Sequence, residues 1–304
     1  MGGWRRVGQP SGLGGELSVN QPATALLFPG QGSQTATMRE TVERYRPELL
    51  ELALEVSGDD PFAHADEGTN FAQPAIYCAS LAGFTRLGEP AAELMAGHSL
   101  GEFAALVAAG ALSPEDGLRL VTLRGRLTRD ANERSRGGML AVRGGAEQAA
   151  PLAERHGLTV ANDNSPDQMV LSGAREAIDA AAADAESEGL RAIALPVAGA
   201  FHSPLMAPAV APLEAALAEV EFRDPHTTVI CAGSAKPFED PRRELAQGLL
   251  APVRWRETLL ALRERGAERY VETGPGKVLS GLVRKTLGRD VEALSADSPE
   301  PAHV

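Results

Sequence analysis

The sequence has little cysteine, a deficit of basic residues and no long hydrophobic run. Two cysteines, Cys78 and Cys231, stand far apart among 304 residues. Neither lies in a C-x-x-C or His-rich spacing, so no metal site is expected. Both read as buried thiols of a reducing compartment. Lys and Arg total 29 against 41 Asp and Glu, a formal net charge of −12. Such a chain does not attract nucleic acid in bulk, and no basic run reverses that. No window approaches the roughly 18 consecutive apolar residues that a membrane-spanning helix needs. The opening MGGWRRVGQPSGLGGELSVNQ holds two arginines with no apolar run behind them, so a secretory signal is not expected. Residues 1–21 are expected to be a disordered extension, residues 291–304 a flexible tail, and the location cytoplasmic.

What is present is a globular composition, 43% hydrophobic and 23% charged, with segments that alternate in texture. TALLFPG (24–30) reads as a buried strand ending in a turn, followed by the polar GQGSQ and a helical stretch. FAQPAIYCASLAGFTRL (71–87) has helix periodicity, with Pro74 early, where a helix tolerates it. ELMA (93–96) reads as a strand and EFAALVAAGAL (102–112) as a helix. Ser113-Pro114-Glu115-Asp116 is a helix start, with a capping serine, a first-position proline and acids in the first turn. From 137 the order becomes strand, helix, strand, strand, helix, strand within about sixty residues, with Pro151 interrupting the first helix. That is the ferredoxin-like order. Strands at TTVICAG and ERYVETG and helices at 204–220, 241–250 and 256–265 then resume the alternation. The expected fold is α/β: a parallel-sheet, hydrolase-like core (22–134 and 198–290) with an inserted ferredoxin-like subdomain (135–197).

The stretch ELMAGHSLGEF (93–103) places Ser99 in a G-x-S-x-G pattern, between a strand and a helix. A sharp strand-to-helix turn lifts the serine oxygen clear of the sheet, and side chains two residues to either side would collide. The serine then sits at a helix N-terminus, where free N–H groups can hold an oxyanion. Such a serine needs a base. His98 is its neighbour in sequence, but adjacent side chains on an extended or tightly turned backbone point in different directions. His64, His226 and His303 lie in polar, loop-like surroundings, and His156 ends a subdomain helix. His202, in VAGAFHSPLM, stands between an apolar strand and a helix, where α/β folds gather site residues.

Arg124 presents a second chemical question. Its helix neighbours at i−4, i−3, i+3 and i+4 are Leu120, Val121, Leu127 and Thr128, so the guanidinium faces inward. A buried arginine requires an anion. That anion is either a protein carboxylate or a substrate carboxylate held in a two-point fork.

FPGQGSQ, AGHSLGE, LRGRL, VANDNSPDQMVLSG, GAFHS and VETGPGKVLSGLVRK occur in this order over roughly residues 22–290. With them the chain resembles the malonyl-CoA:acyl carrier protein transacylases of fatty acid synthesis and the acyltransferase domains of polyketide synthases. The resemblance implies a Ser99–His202 dyad, a malonyl-serine intermediate, and an oxyanion held by the main-chain N–H groups of Gln31 and Leu100. It implies that Arg124 binds the malonyl carboxylate. It also implies that Phe201, directly before the base, favours malonyl over methylmalonyl groups. The implied partners are malonyl-CoA and an acyl carrier protein, with no cofactor, no nucleic acid and no membrane, acting as a monomer.

The chain departs from the family at one point. Relatives carry a histidine-orienting glutamine four residues before the proline of a P-V-x-W segment, and here Gly248 is in that position. Gln247, one place early, is the nearest substitute, and main-chain carbonyls are the alternative. Two rivals remain. A thioester hydrolase would use the same serine and need an acid such as Asp163, Asp167 or Asp179. A decayed carrier-binding module would never form an acyl-serine. Carrier proteins are acidic, so docking would draw on Arg254, Arg256, Lys277, Arg284 or Lys285.

Overall fold

The run TALLF forms strand β1 (Thr24–Phe28), buried at every position, as befits a strand covered by helices on both faces of its sheet. The structure, a computed structural model, describes residues 22–197 and 199–298. The extension expected over 1–21 and the end of the expected tail, 299–304, lie outside these. After β1 come helices α1 (Met38–Tyr45), α2 (Pro47–Ser57) and α3 (Thr69–Arg86), then strand β2 (Leu94–Gly97). Helices α4 (Gly101–Ala108) and α5 (Pro114–Ser135) follow. The next stretch is β3 (Gly137–Arg143), α6 (Ala146–His156), β4 (Thr159–Ser165), β5 (Gln168–Ala174), α7 (Arg175–Ser187) and β6 (Ala192–Ala194). A 3-10 turn at Pro204–Met206 leads into α8 (Ala207–Ala218), β7 (Thr228–Cys231), β8 (Lys236–Pro237) and α9 (Pro241–Gln247). The chain closes with α10 (Trp255–Glu264), β9 (Arg269–Glu272), α11 (Val278–Leu287) and β10 (Glu292–Ser295).

The main sheet has six strands in the order β10-β9-β1-β2-β7-β8. All its pairings are parallel except that of the edge strand β8 with β7. One face packs on α3, α4, α5 and α8, and the other on α10 and α11. The second sheet has four strands, β4-β5-β3-β6, all antiparallel, with its own apolar cluster beneath α6 and α7. Read across the sheet these are the second, third, first and fourth strands of the segment, the ferredoxin-like arrangement. The two sheets meet through β4. Asn162 bridges Val253 in parallel, Val253 donates its N–H to Ala161 O at 2.8 Å, and Asp163 donates to Val253 O at 2.9 Å. Among the described residues no helix is long and apolar enough to cross a membrane.

Several local expectations need correction. The segment 291–304 is not simply a tail, because Glu292–Ser295 extends the sheet as β10, parallel to β9. Ala293 and Ser295 are buried there, so a four-residue alternation too short to read in sequence covers an edge that would otherwise be open. The single helical stretch after GQGSQ is two helices. Arg46 leaves helical geometry at φ −145°, ψ 58°, as the residue before a proline tends to do. Pro74 is not early, since α3 begins at Thr69, and Pro151 does not interrupt α6. Each proline removes one helix hydrogen bond. Pro151 lies on the exposed side of its helix, where water can serve the freed carbonyl.

Helix α11 carries Leu279, Leu282, Val283 and Leu287 on its buried face, but no local side chain caps it. Its cap is Glu272, at the end of β9. This fully buried carboxylate accepts the N–H groups of Leu279 at 3.0 Å and Ser280 at 2.8 Å. Glu272→Ala is expected to cost about 3 kcal/mol, the scale for two buried donors losing a charged acceptor. Glu272→Gln should cost less. Urea unfolding of the three proteins checks the order.

Candidate active site

The loops at the C-terminal ends of β1, β2 and β7 converge, as ligand loops do in open parallel sheets. Directly after β2 the chain turns so sharply that a Cβ on Gly97 would lie 2.1 Å from the carbonyl carbon of Gly101. A Cβ on Gly101 would lie 2.1 Å from Phe28 O. Only glycine fits either place. Between them Ser99 takes a left-handed backbone, φ 54°. Such strain in a nucleophile elbow aims the side chain away from the sheet.

His202 approaches from the turn before the 3-10 segment, also with a positive φ of 56°. Its Nε2 is 2.8 Å from Ser99 Oγ. Its Nδ1 lies 2.9 Å from Gly248 O and 3.0 Å from Ala251 O. Carbonyls only accept, so Nδ1 carries the proton and Nε2 is left to accept from the serine hydroxyl. Burial first, and the nearby charge of Arg124 second, push His202 down to about 3. The ring is therefore neutral near pH 7 and can act as a base.

The expectation for Gln247 is corrected by the same geometry. Its side chain is exposed, and backbone carbonyls in the turn after α9 take its place. Carbonyls at a helix end lack intrahelical partners and are free for this task. Gly248 fills the glutamine's position and contributes through its backbone.

Arg124 is 7% exposed. Its Nη2 donates to Ser99 Oγ at 2.9 Å and its Nη1 to Gln73 Oε1 at 2.6 Å. Among the described residues no carboxylate forms an ion pair with it. Burial lowers it to about 10, opposed by the Glu102 carboxylate across the cleft. Gln73 is itself held, donating to Thr69 Oγ1 at 2.8 Å and Thr128 Oγ1 at 3.2 Å. Thr69 in turn donates to Gln31 Oε1 at 2.9 Å. A polar chain, buried except at its half-buried outer end Gln31, thus runs from the loop after β1 to the nucleophile. Gln73, Thr69 and Thr128 escape a reading of the sequence. The one available signal is a lone glutamine in the apolar run FAQPAIYCAS.

The main-chain N–H groups of Gln31 and Leu100 have no internal acceptor among the described residues. Their loops touch, since a Cβ on Gly30 would lie 2.5 Å from His98 O. His98 is turned to other work. Its Nε2 lies 2.9 Å from Asn164 Oδ1 on β4, and its ring packs 5.3 Å from that of Trp255. It ties the elbow to the small sheet.

The cleft above Ser99 is walled by Arg124, His202, Glu102, Phe103, Leu245 and Val253 among others. Phe201 is not in that wall. Its ring lies over Gly199, where a Cβ would meet it at 2.6 Å, between the core and the apolar patch of Met139, Ala161 and Val170. The three aspartates of the hydrolase reading stand elsewhere. Asp163 is bound two-pronged by Arg256, with contacts of 2.8 to 3.1 Å. Asp167 accepts from Ser165 at 2.6 Å, and Asp179 is exposed. Of the docking candidates, Arg254 pairs with Glu257, Arg256 with Asp163, Arg284 with Ala293 O, and Lys285 reaches Asp167 at 3.9 Å. Four of the five are thus engaged within the fold.

A parallel α/β sheet that presents an elbow serine to a neutral histidine defines the serine-nucleophile class of acyl-handling enzymes. The family model described as an acyl transferase domain matches residues 61–298, and the chain belongs to that family. The malonyl CoA-acyl carrier protein transacylase of Haemophilus influenzae is 35% identical over 296 residues, covering 90% of this chain and 95% of that one. The polyketide biosynthesis protein ThaF of Burkholderia thailandensis is 39% identical over 289 residues, 90% of this chain but 25% of that much longer protein. The crystal structure of a malonyl-CoA:acyl carrier protein transacylase from Xanthomonas oryzae pv. oryzae aligns with a TM-score of 0.84 at 35% identity. That alignment covers 93% of this chain and 97% of the other.

Proposed function

We propose that this chain moves a malonyl group from malonyl-CoA to the phosphopantetheine thiol of an acyl carrier protein, through an ester on Ser99. The observation that carries the reading is Arg124, a buried cation that touches the nucleophile and has no ion-pair partner among the described residues. A cleft built this way suits an acyl group that ends in a carboxylate.

The steps follow from the hydrogen bonds. Ser99 Oγ–H gives its proton to His202 Nε2 while the oxygen attacks the thioester carbonyl. The carbonyl electron pair moves onto oxygen, where the N–H groups of Gln31 and Leu100 receive it. Collapse re-forms the carbonyl and breaks the C–S bond, and the departing thiol takes the proton from His202. The carrier thiol then repeats the sequence on the serine ester, returning the proton to Ser99. His202 has two carbonyls behind it instead of an acid. The Gly248 and Ala251 oxygens stabilise the imidazolium less than a carboxylate would. The substrate makes up part of the difference, because the malonyl carboxylate neutralises the Arg124 charge that suppresses the base. The carrier protein is a substrate in this reading, the enzyme works as a cytoplasmic monomer, and no cofactor takes part.

A transfer assay tests the reading. Malonyl-CoA with phosphopantetheinylated carrier protein should yield malonyl-carrier, with free malonate forming far more slowly when the carrier is omitted. Malonate release as fast as transfer would favour a thioesterase. Phe201 limits the acyl α-substituent here by bracing the histidine turn from behind the wall. Phe201→Ser is expected to admit methylmalonyl-CoA. A variant still blind to it would place the limit elsewhere.

A further inference from the structure

Glu102 has no part in the steps above, yet it lies one helical turn beyond the nucleophile and walls the same cleft. It is 6% exposed, a carboxylate taken almost wholly out of water. Its Oε1 accepts the Ala232 N–H at 2.8 Å, pinning the elbow helix to the end of β7. The titratable groups whose charge or hydrogen bonding acts on it come from several elements. They are Arg124 on α5, the Cys231 thiol at the end of β7, and Glu244 on α9. His202 shares the cleft. Arg124 is the one cation of this set, and Glu102 is the carboxylate whose charge opposes the arginine's loss of its proton.

The charge balance then has a consequence. Before a substrate arrives, the cleft holds one buried guanidinium and one buried carboxylate that is not paired with it. A malonyl group brings a second carboxylate to the same cation. Two carboxylates around one cation in a water-poor site cannot both stay ionised cheaply, and one gains affinity for a proton. The incoming carboxylate takes the guanidinium fork. Glu102 Oε1 already holds the Ala232 N–H, which leaves Oε2 to take the proton.

We propose that Glu102, a buried carboxylate of the same cleft that forms no ion pair with Arg124, takes up one solvent proton when the malonyl carboxylate pairs with the arginine. This rests on the reading of Arg124 as the malonyl clamp. An acetyl group brings no charge and calls for no proton. Malonyl selection is thereby linked to pH, and acetyl binding is not. Burial places the empty-site carboxylate at about 7, so the linkage appears above that pH.

Titration calorimetry on Ser99→Ala protein, which binds malonyl-CoA without reacting, tests the proposal. Runs at about pH 8, above the neutral range in which the empty-site carboxylate titrates, use two buffers of different ionisation enthalpy and give the proton count. Close to one proton taken up per malonyl-CoA is expected, none for acetyl-CoA, and none for malonyl-CoA once Glu102→Gln is added. Glutamine keeps an acceptor for the Ala232 N–H, so folding should survive. As a second readout, malonyl-CoA affinity should fall about tenfold per pH unit above neutrality with Glu102 present. It should stay flat in the Glu102→Gln protein, which has no titrating acid at that place. Undiminished uptake in the Glu102→Gln protein would put the proton on another group and overturn the proposal, as would the absence of uptake in Ser99→Ala alone. The clamp reading fails separately, if Ser99→Ala/Arg124→Ala protein still prefers malonyl-CoA to acetyl-CoA.

Discussion

In Arg124→Ala, kcat/KM for malonyl-CoA is expected to fall by about two to three orders of magnitude, while that for acetyl-CoA holds or rises. Two effects add. The malonyl carboxylate loses a two-point, charge-assisted partner in a buried cleft. His202 also loses the cation that suppresses it, so the base no longer depends on an anionic acyl group to become effective. Acetyl-CoA gains from the second effect and loses nothing to the first. The measurement is kcat/KM for both thioesters on wild type and variant. A malonyl preference as strong in the variant as in wild type would remove Arg124 from the substrate.

His202→Ala is expected to slow acylation of Ser99 by about 10² to 10⁴-fold, the usual contribution of a positioned general base. The serine keeps its elbow and the hydrogen bond from Arg124, and the N–H groups of Gln31 and Leu100 remain. Only the proton acceptor is gone. Single-turnover acylation separates this from effects on binding, which should change little. A variant acylated at the wild-type rate would mean that another group takes the proton. His98 is not available for that, because its Nε2 is engaged with Asn164.

The parts of the site legible in sequence are those governed by local geometry. The elbow can be read because Gly97 and Gly101 answer a steric demand two residues from Ser99. Arg124 can be placed inward because helix neighbours at three and four residues define a face. His202 stands out by its position between a strand and a helix. What escapes depends on distant contacts or on the backbone. Gln73 meets Arg124 across 51 residues and Thr69 meets Gln31 across 38, and no spacing announces either pair. The support of His202 comes from carbonyls, which every residue carries, so a search for a side chain leads to Gln247. Adjacency to the base points to Phe201 as a cleft residue, whereas its ring packs behind the cleft wall. In the fold, the two sheets follow from texture. β10 does not, because four residues cannot establish a period. α11 does not, because its cap lies across a loop at Glu272.

The most direct measurement is the intact mass of the protein after brief exposure to malonyl-CoA, beside Ser99→Ala and a parallel acetyl-CoA sample. The expected result is one malonyl adduct on wild type, absent from Ser99→Ala, weak with acetyl-CoA, and discharged when phosphopantetheinylated carrier protein is added. An adduct that persists in Ser99→Ala, or no adduct while free malonate accumulates, would contradict transfer through a serine ester.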